Sequence, residues 1–354
     1  MKHKEYILWS ALLLPGLLAF SPRGDEVSFH PAEGATLTKT FTSKSEVSLD
    51  EMSLTQNGQP VEFGGLEIST TSDQTIQVTD VYSALGDGRP AKLTRTFEKL
   101  AGATTISQSH EMMGDQDTDV TSKSELLDKV VVFSWDAEAG EFDVAFAPTS
   151  GGDETLLEGL EEDMDLRAFL PRGEVAVDDE WEIDPQDVRG LFAPGGSLKL
   201  EPENPEELGM GSGPHPSLDQ ALGDMEGTVS GTYRGTREEE GVKVAVIELT
   251  MEISSAKDLT DLMKEMMGNI EAPGGEEIDM RIGAFDMEFA FEGKGVLLWD
   301  VAAGLVHSLD LSGEVTQRID MQMDMTVAGQ ELSMENAMTM SGTMTVAVAT
   351  GRAD

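Results

Sequence analysis

Ile319-Asp320-Met321-Gln322-Met323-Asp324-Met325-Thr326-Val327 decides the fold. Apolar and polar side chains alternate without a break, the signature of a strand with one buried face and one wet face. Ala328-Gly329 supplies a turn, and Met338, Met340, Met344, Val346 and Val348 then resume the rhythm against Thr and Ser. Two long antiparallel strands follow from this pattern, over 305–327 and 331–350. Upstream, the same alternation predicts a strand over 282–299 and a hairpin joining 228–237 to 242–253 through Glu238-Glu239-Glu240-Gly241. Between them, 257–270 carries Leu259, Leu262, Met263, Met266 and Met267 at helical spacing and predicts an amphipathic helix.

The N-terminal part reads similarly. Leu37 and Phe41 share a face with Lys39, while Thr36, Thr38, Thr40 and Thr42 line the other. Asn57-Gly58 predicts a tight hairpin between 51–54 and 61–63. Further strands carry Ile68, Ile76, Val78, Val81 and Tyr82, then span 93–97, 104–109, 130–135 and 141–146. Leu156, Leu157, Leu160, Met164 and Phe169 are spaced as on a helix over 154–170, with Pro171 as its stop. Residues 201–224 are rich in Pro, Gly and Glu and read as a linker or exposed loop. The expected class is α+β dominated by antiparallel sheet: a half-barrel or curled sheet in two β-rich halves, 22–200 and 225–354, each with one helix. Trp135-Asp136-Ala137-Glu138-Ala139-Gly140 and Trp299-Asp300-Val301-Ala302-Ala303-Gly304 repeat W-D-x-x-A-G after an apolar strand. Either a duplicated plan or a shared turn chemistry explains the echo.

Composition narrows the function. Lys2 and Lys4 precede an apolar run from Tyr6 to Phe20, which reads as an export signal over 1–21, directing the chain to the periplasm or the extracellular space. No later run is apolar enough to predict a transmembrane span. Sixty-seven acidic residues against 24 basic ones give a formal charge of −43, which excludes nucleic acid as a partner. The acids are spread along the whole chain, a distribution that fits a salty exterior better than a dedicated cation site. With no Cys, thiolate catalysis, disulfides and Cys-ligated zinc are excluded.

Leu170-Pro171-Arg172-Gly173-Glu174-Val175-Ala176-Val177-Asp178-Asp179-Glu180-Trp181 resembles a turn-and-strand segment of uncharacterised exported bacterial proteins. Their strand runs V-x-V-G-D-x-W; Asp178 stands here in place of the Gly. Asp80-Val81-Tyr82, Gly88-Arg89-Pro90 and Leu93-Thr94-Arg95 are similar to their earlier segments. The layout of long strands curled against a helix also resembles the half-barrels of periplasmic lipoprotein carriers and related lipid-binding proteins. That likeness implies a curled sheet and leaves function to the site itself.

Methionine is the unusual element. Met321, Met323, Met325, Met338, Met340 and Met344, with Met263 and Met267 from the helix, form a polarizable lining suited to varied apolar partners. The plainer reading is a core face packed on the helix. A Cu(I) site on Met321, Met323 and Met325 is a third, although alternate residues line up in a row and do not converge. Asp115, Asp117 and Asp119 resemble the opening of a calcium loop, but Val120 holds the Gly position and Leu126 that of the bidentate Glu. A solvated acidic turn is the plainer reading there. Glu161-Glu162-Asp163-x-Asp165 and Asp178-Asp179-Glu180 likewise read as solvated faces. Ser254-Ser255-Ala256-Lys257 matches S-x-x-K without the S-D-N or K-T-G elements, and a helix cap explains it. No catalytic residues and no cofactor are therefore expected. The expected function is non-catalytic: an exported envelope protein binding a lipid or other apolar small molecule in a curved sheet. The alternative is a structural module presenting its acidic surface to an envelope protein, with an enzyme third.

Overall fold

A computed structural model describes residues 24–61, 65–110, 114–203, 218–267, 279–327 and 330–352. The predicted signal and most of the predicted 201–224 linker lie outside them. The short N-terminal strand β1 (Asp25–Glu26) is followed by β2 (Ala35–Gln56), β3 (Gln59–Val61), β4 (Leu66–Gly86), β5 (Arg89–His110) and β6 (Gly114–Lys123). A hairpin of β7 (Val130–Asp136) and β8 (Glu141–Phe146) comes next, then β9 (Glu174–Val175), β10 (Glu180–Ile183) and β11 (Glu201–Pro202). The last five strands are β12 (Met225–Glu239), β13 (Val242–Asp258), β14 (Asp279–Asp300), β15 (Leu305–Val327) and β16 (Gln330–Arg352). Three helices are short: α1 (Arg189–Phe192), α2 (Leu218–Ala221) and α3 (Thr260–Met267).

Among the described residues one antiparallel sheet of 14 strands runs in the order β10-β12-β13-β14-β15-β16-β2-β4-β5-β6-β11, with β3 paired to β2 and the β7–β8 hairpin paired to β5 off this path, and its two edges do not meet. The expectation of a β-dominated, curled sheet holds. The N- and C-terminal parts share this sheet: β16 pairs with β2 from Arg352↔Leu37 to Met334↔Gln56. Strands of 21 to 23 residues such as β4 and β15 are on the order of 70 Å long. A sheet that long must coil. Gly293 and Gly313 face each other across β14 and β15. A Cβ at Gly293 would stand 2.4 Å from the Phe291 ring, and one at Gly313 would stand 2.3 Å from the Glu292 carbonyl oxygen.

One end of the long strands wraps around an irregular strap over 147–200. Leu160, Met164, Leu166, Phe169, Val188, Leu191 and Phe192 from the strap join Leu37, Phe41, Ile76, Leu93, Phe97, Leu309 and Val346 from the sheet in one core. Phe192 sits edge-on to Phe289 and Phe291 at 5.3 and 5.2 Å. The helix predicted over 154–170 does not form; two 3-10 turns, Glu154–Leu157 and Arg167–Phe169, stand there instead. Gly159 at φ 77° and Leu166 at φ 59° break the helical path. The apolar residues still face inward, but as parts of a loop. The helix predicted over 257–270 is trimmed, because Lys257 and Asp258 extend β13 and Asp258 Oδ1 accepts from Thr260 N at 2.8 Å to start α3. The S-x-x-K serines also lie within β13, where Ser255 Oγ accepts from Gly223 N at 2.8 Å.

The repeated W-D-x-x-A-G segments fold alike. Asp136 Oδ1 accepts from Glu138 N and Ala139 N, and Asp300 Oδ1 accepts from Ala302 N and Ala303 N. Gly140 and Gly304 close the turns at φ 75° and 64°. Each turn follows a strand, β7 or β14, that pairs antiparallel with the second strand of a long hairpin.

Candidate functional site

The predicted methionine lining divides into three groups. Met340 and Met344 are buried in the main core beside the strap. Met263 of α3 is 3% exposed and joins Leu259, Ile282 and Phe285 in a second, smaller core, against which Met321 and Met323 pack. At these residues α3 packs on β14 and β15. The Met267 side chain lies outside the described residues. Met325 and Met338 form the third group, on the inner face of the sheet toward the far end of the strands; both are half-exposed, and Met338 packs against the margin of the main core.

Neighbours that the sequence reading passed over complete this third group. Leu332 pairs with Met325, Met334 with Met323, and Met52 with Met338. Leu54 stands opposite Asn336, which on its other side faces Met321. Leu332, Met334, Met52 and Leu54 are all half-buried. Within this apolar field Asn336 Oδ1 is buried without a hydrogen-bond partner. An unpaired buried carbonyl costs about 1–3 kcal/mol, so a donor that reached it would gain most of that back. The register of the β15–β16 hairpin could have found Leu332 and Met334, whereas Met52 and Leu54 follow only once the β16–β2 pairing is known.

Further across the same inner face the chemistry changes. Val47 pairs with Thr70, Ser45 with Ser72 and Ser43 with Gln74. Ser72 in turn pairs with Thr104, and their hydroxyls lie 3.0 Å apart. Charge sits on the outer face, as Lys44, Glu46 and Asp73 show on β2 and β4. The open end of the sheet thus presents methionine on one side and uncharged hydroxyl and amide groups on the other. A nearby cavity of about 350 Å³ beside α2 and α3 is lined by Gln220, Lys257, Asp258, Leu259, Asp261 and Leu262. Leu259 and Leu262 give it an apolar side, and Gln220, Lys257, Asp258 and Asp261 a polar and charged one.

Asp115, Asp117 and Asp119 do not form a loop. They lie on one face of the regular strand β6 opposite Ser109, Ser107 and Thr105. Asp115 accepts from Ser109 Oγ at 2.7 Å and Asp119 from Thr105 Oγ1 at 2.6 Å. Two of the three carboxylates are thus taken up by hydroxyls of the neighbouring strand. No group of three or more His, Asp or Glu among the described residues is placed to hold a metal.

A sealed charge cluster is the site that sequence reasoning missed. Lys39, Asp80 and Arg95 face inward from β2, β4 and β5 and are fully buried. Arg95 donates to both Asp80 carboxylate oxygens at 2.8 and 3.0 Å, and Lys39 Nζ reaches Asp80 at 2.5 Å. Arg95 also donates to the carbonyls of Glu161 and Glu162 at 3.0 and 3.3 Å, tying the strap to the sheet. In the strap, Arg167 forks onto Glu162 at 2.8 and 3.2 Å and bonds Asp165. Glu162 and Asp165 are buried, which corrects the expectation that this acidic run is a solvated face. The other run, Asp178-Asp179-Glu180, is exposed as expected. Burial pushes the Asp80 carboxyl up, yet Arg95 and Lys39 outweigh it and hold the group below its ordinary range. Burial and the Asp165 charge push Glu162 up to about 8, against the pull of Arg167 and Arg95.

No family model matches this chain, and no curated protein does. Among solved structures it is similar to the outer membrane protein OprG from Pseudomonas aeruginosa at 7% identity and a TM-score of 0.21, over 91% of this chain and 99% of that one. An outer membrane channel from Pseudomonas putida F1 is similar at 12% identity and a TM-score of 0.19, over 95% and 100% of the two chains. Scores this low amount to shared strand content, and no functional argument follows from them. No helix among the described residues is long and apolar enough to cross a membrane.

Proposed function

We propose that this chain is an exported envelope protein that binds an uncharged or weakly polar amphiphile on the open inner face of its curled sheet, by burial and without covalent chemistry. The carrying observation is Asn336: a buried carbonyl oxygen without a donor, set in a half-exposed field of Met52, Leu54, Met325, Leu332, Met334 and Met338. An acyl chain laid along the methionines would lose water at roughly 25 cal/mol per Å² of apolar surface. Its polar end would donate to Asn336 Oδ1 or reach the hydroxyls of Ser45, Ser72 and Thr104. Methionine suits this task because its unbranched thioether adapts to chains of differing shape. The ligand lies beyond α3 rather than beneath it, since Met263, Met321 and Met323 already fill that space.

Native mass spectrometry of the protein purified from its own envelope, followed by lipid extraction, tests the reading. A stoichiometric amphiphile is expected, and Met338→Glu is expected to remove it without unfolding the sheet. The same measurement reads the mature N-terminus, which is expected to lack the first 21 or so residues. An apo mass that stays unchanged after incubation with envelope lipids would overturn the binding reading and bring the protein-partner alternative forward.

A further inference from the structure

We propose that the strap loop 158–169 is a pH-gated latch, closed on the sheet by a largely buried cluster in which acids outnumber cations and opened as the cluster loses its spare protons. The cluster counts three cations, Lys39 from β2, Arg95 from β5 and Arg167 from the loop. Against them stand four carboxyls: Asp80 from β4, and Glu162, Asp163 and Asp165 from the loop. Tyr82 of β4 faces the same space, with its hydroxyl 3.5 Å from Lys39 Nζ, and burial pushes that hydroxyl well above its ordinary range. Phe133 and Phe29 cover Arg95 and Arg167 with their rings at 5.1 and 5.6 Å, so no water competes from those sides. Asp187, on the turn before α1, and exposed Glu161 are the remaining acids that act on the cluster.

Four acids against three cations leave one carboxyl without a counter-charge, and a buried uncompensated charge is the costliest group a fold can hold. The closed loop therefore retains a proton. Glu162 is its seat: burial and Asp165 push this group up to about 8. Asp163, which accepts from Gly195 N at 3.0 Å, is pushed by burial and by Glu161 up to about 6. In an opened loop both groups return to ordinary carboxyl values.

The sign follows from linkage. A group whose closed-state value is raised favours closure fully below its open-state value, and that support is lost as pH rises toward its closed-state value. Opening therefore releases up to two protons between about pH 5 and pH 6 and one from there to about pH 8, so its equilibrium constant rises by up to about a hundredfold per pH unit in the lower part and about tenfold in the upper part before levelling off. The loop can respond apart from the sheet because no long strand runs through it. Outside the charge cluster the loop is held by Glu161 N to Gly195 O, by Ser197 N to Gly159 O, by Trp181 Nε1 donating to Phe169 O, by short internal turns, and by Leu160, Met164, Leu166 and Phe169 in the main core, so opening exposes those four side chains as well. This inference stands on the cluster alone, whatever the methionine face binds.

Hydrogen exchange on the full chain, corrected for intrinsic rates, tests it. Peptides covering 158–169 are expected to lose protection from about pH 5 to about pH 8 and then plateau, while β15 peptides covering Leu309 and Leu311 stay protected. Glu162→Gln, which can keep one of the two bonds from Arg167 but cannot ionise, is expected to flatten the rise above about pH 6. If that variant proves misfolded by circular dichroism, Asp163→Asn is expected to flatten only the lower part. A wild-type loop whose protection does not change with pH overturns the latch. So does a slope unchanged in Glu162→Gln, or β15 exchanging in step with the loop.

Discussion

Along β15, Leu309, Leu311 and Val315 are 3% exposed or less, whereas Ile319, Met321, Met323 and Met325 on the same face are half-exposed. β16 divides in the same way, with Val346 and Val348 sealed and Met334 and Met338 open. Both strands keep an unbroken ladder through the change. What differs is the second layer: the strap covers one end of the sheet, α3 covers a corner of the other, and the remainder is bare. The residue types follow suit. Branched and aromatic side chains, with few rotamers to lose, dominate the covered end, which also takes Met164, Met340 and Met344, while methionines make up most of the apolar face at the open one. One sheet thus serves as a packed domain at one end and as an adaptable surface at the other.

The sharpest way to break this contrast is at the charge cluster that anchors the covered end. Asp80→Ala leaves Lys39 and Arg95 buried without their shared counter-ion and is expected to cost 3–5 kcal/mol or more, read as a large drop in Tm. Trp299→Ala comes next, at about 3–5 kcal/mol, since the fully buried indole also donates to Ser28 O at 3.1 Å and so ties the N-terminal segment to β14. A matched pair tests the contrast itself. Met340→Ala, in the covered core, is expected to cost about 2–5 kcal/mol in denaturant unfolding, and Met325→Ala, on the open face, about 1 or less. Equal costs would mean that the open face is packed in solution, and the binding reading would fall with the contrast.

Much of this was legible in the chain because alternation is local. The β15 and β16 strands, the Asn57-Gly58 turn and the W-D-x-x-A-G turns each depend on residues a few positions apart, and they formed as read. The 154–170 segment misled because its apolar spacing reflects inward-facing loop residues, while the break comes from backbone at Gly159 and Leu166. Lys39 could be seen on the apolar face of its strand, but its partners Asp80 and Arg95 come from two other strands. Nothing local distinguishes the buried Glu162 and Asp165 from the exposed Asp178 and Asp179. Burial of a charge is decided by whichever element arrives on top of it, and here that is the strap. The open methionine field was half legible: the hairpin was visible, but Met52 and Leu54 join it only through the β16–β2 pairing.

The smallest effect expected belongs to the acidic edge. Asp115, Asp117 and Asp119 are exposed on β6, and their hydroxyl partners on β5 lie at the open end of the sheet. Replacing Asp117 by Asn removes one charge from a chain carrying −43 and is expected to change stability by no more than about 0.5 kcal/mol, toward higher stability at low salt. That sign is the informative part. If the row were a cation site, the substitution would abolish a calcium-dependent rise in Tm. If it is only one share of a self-repelling surface, the gain should fade as salt screens the remaining acids, and calcium should act no differently from an equal ionic strength of magnesium.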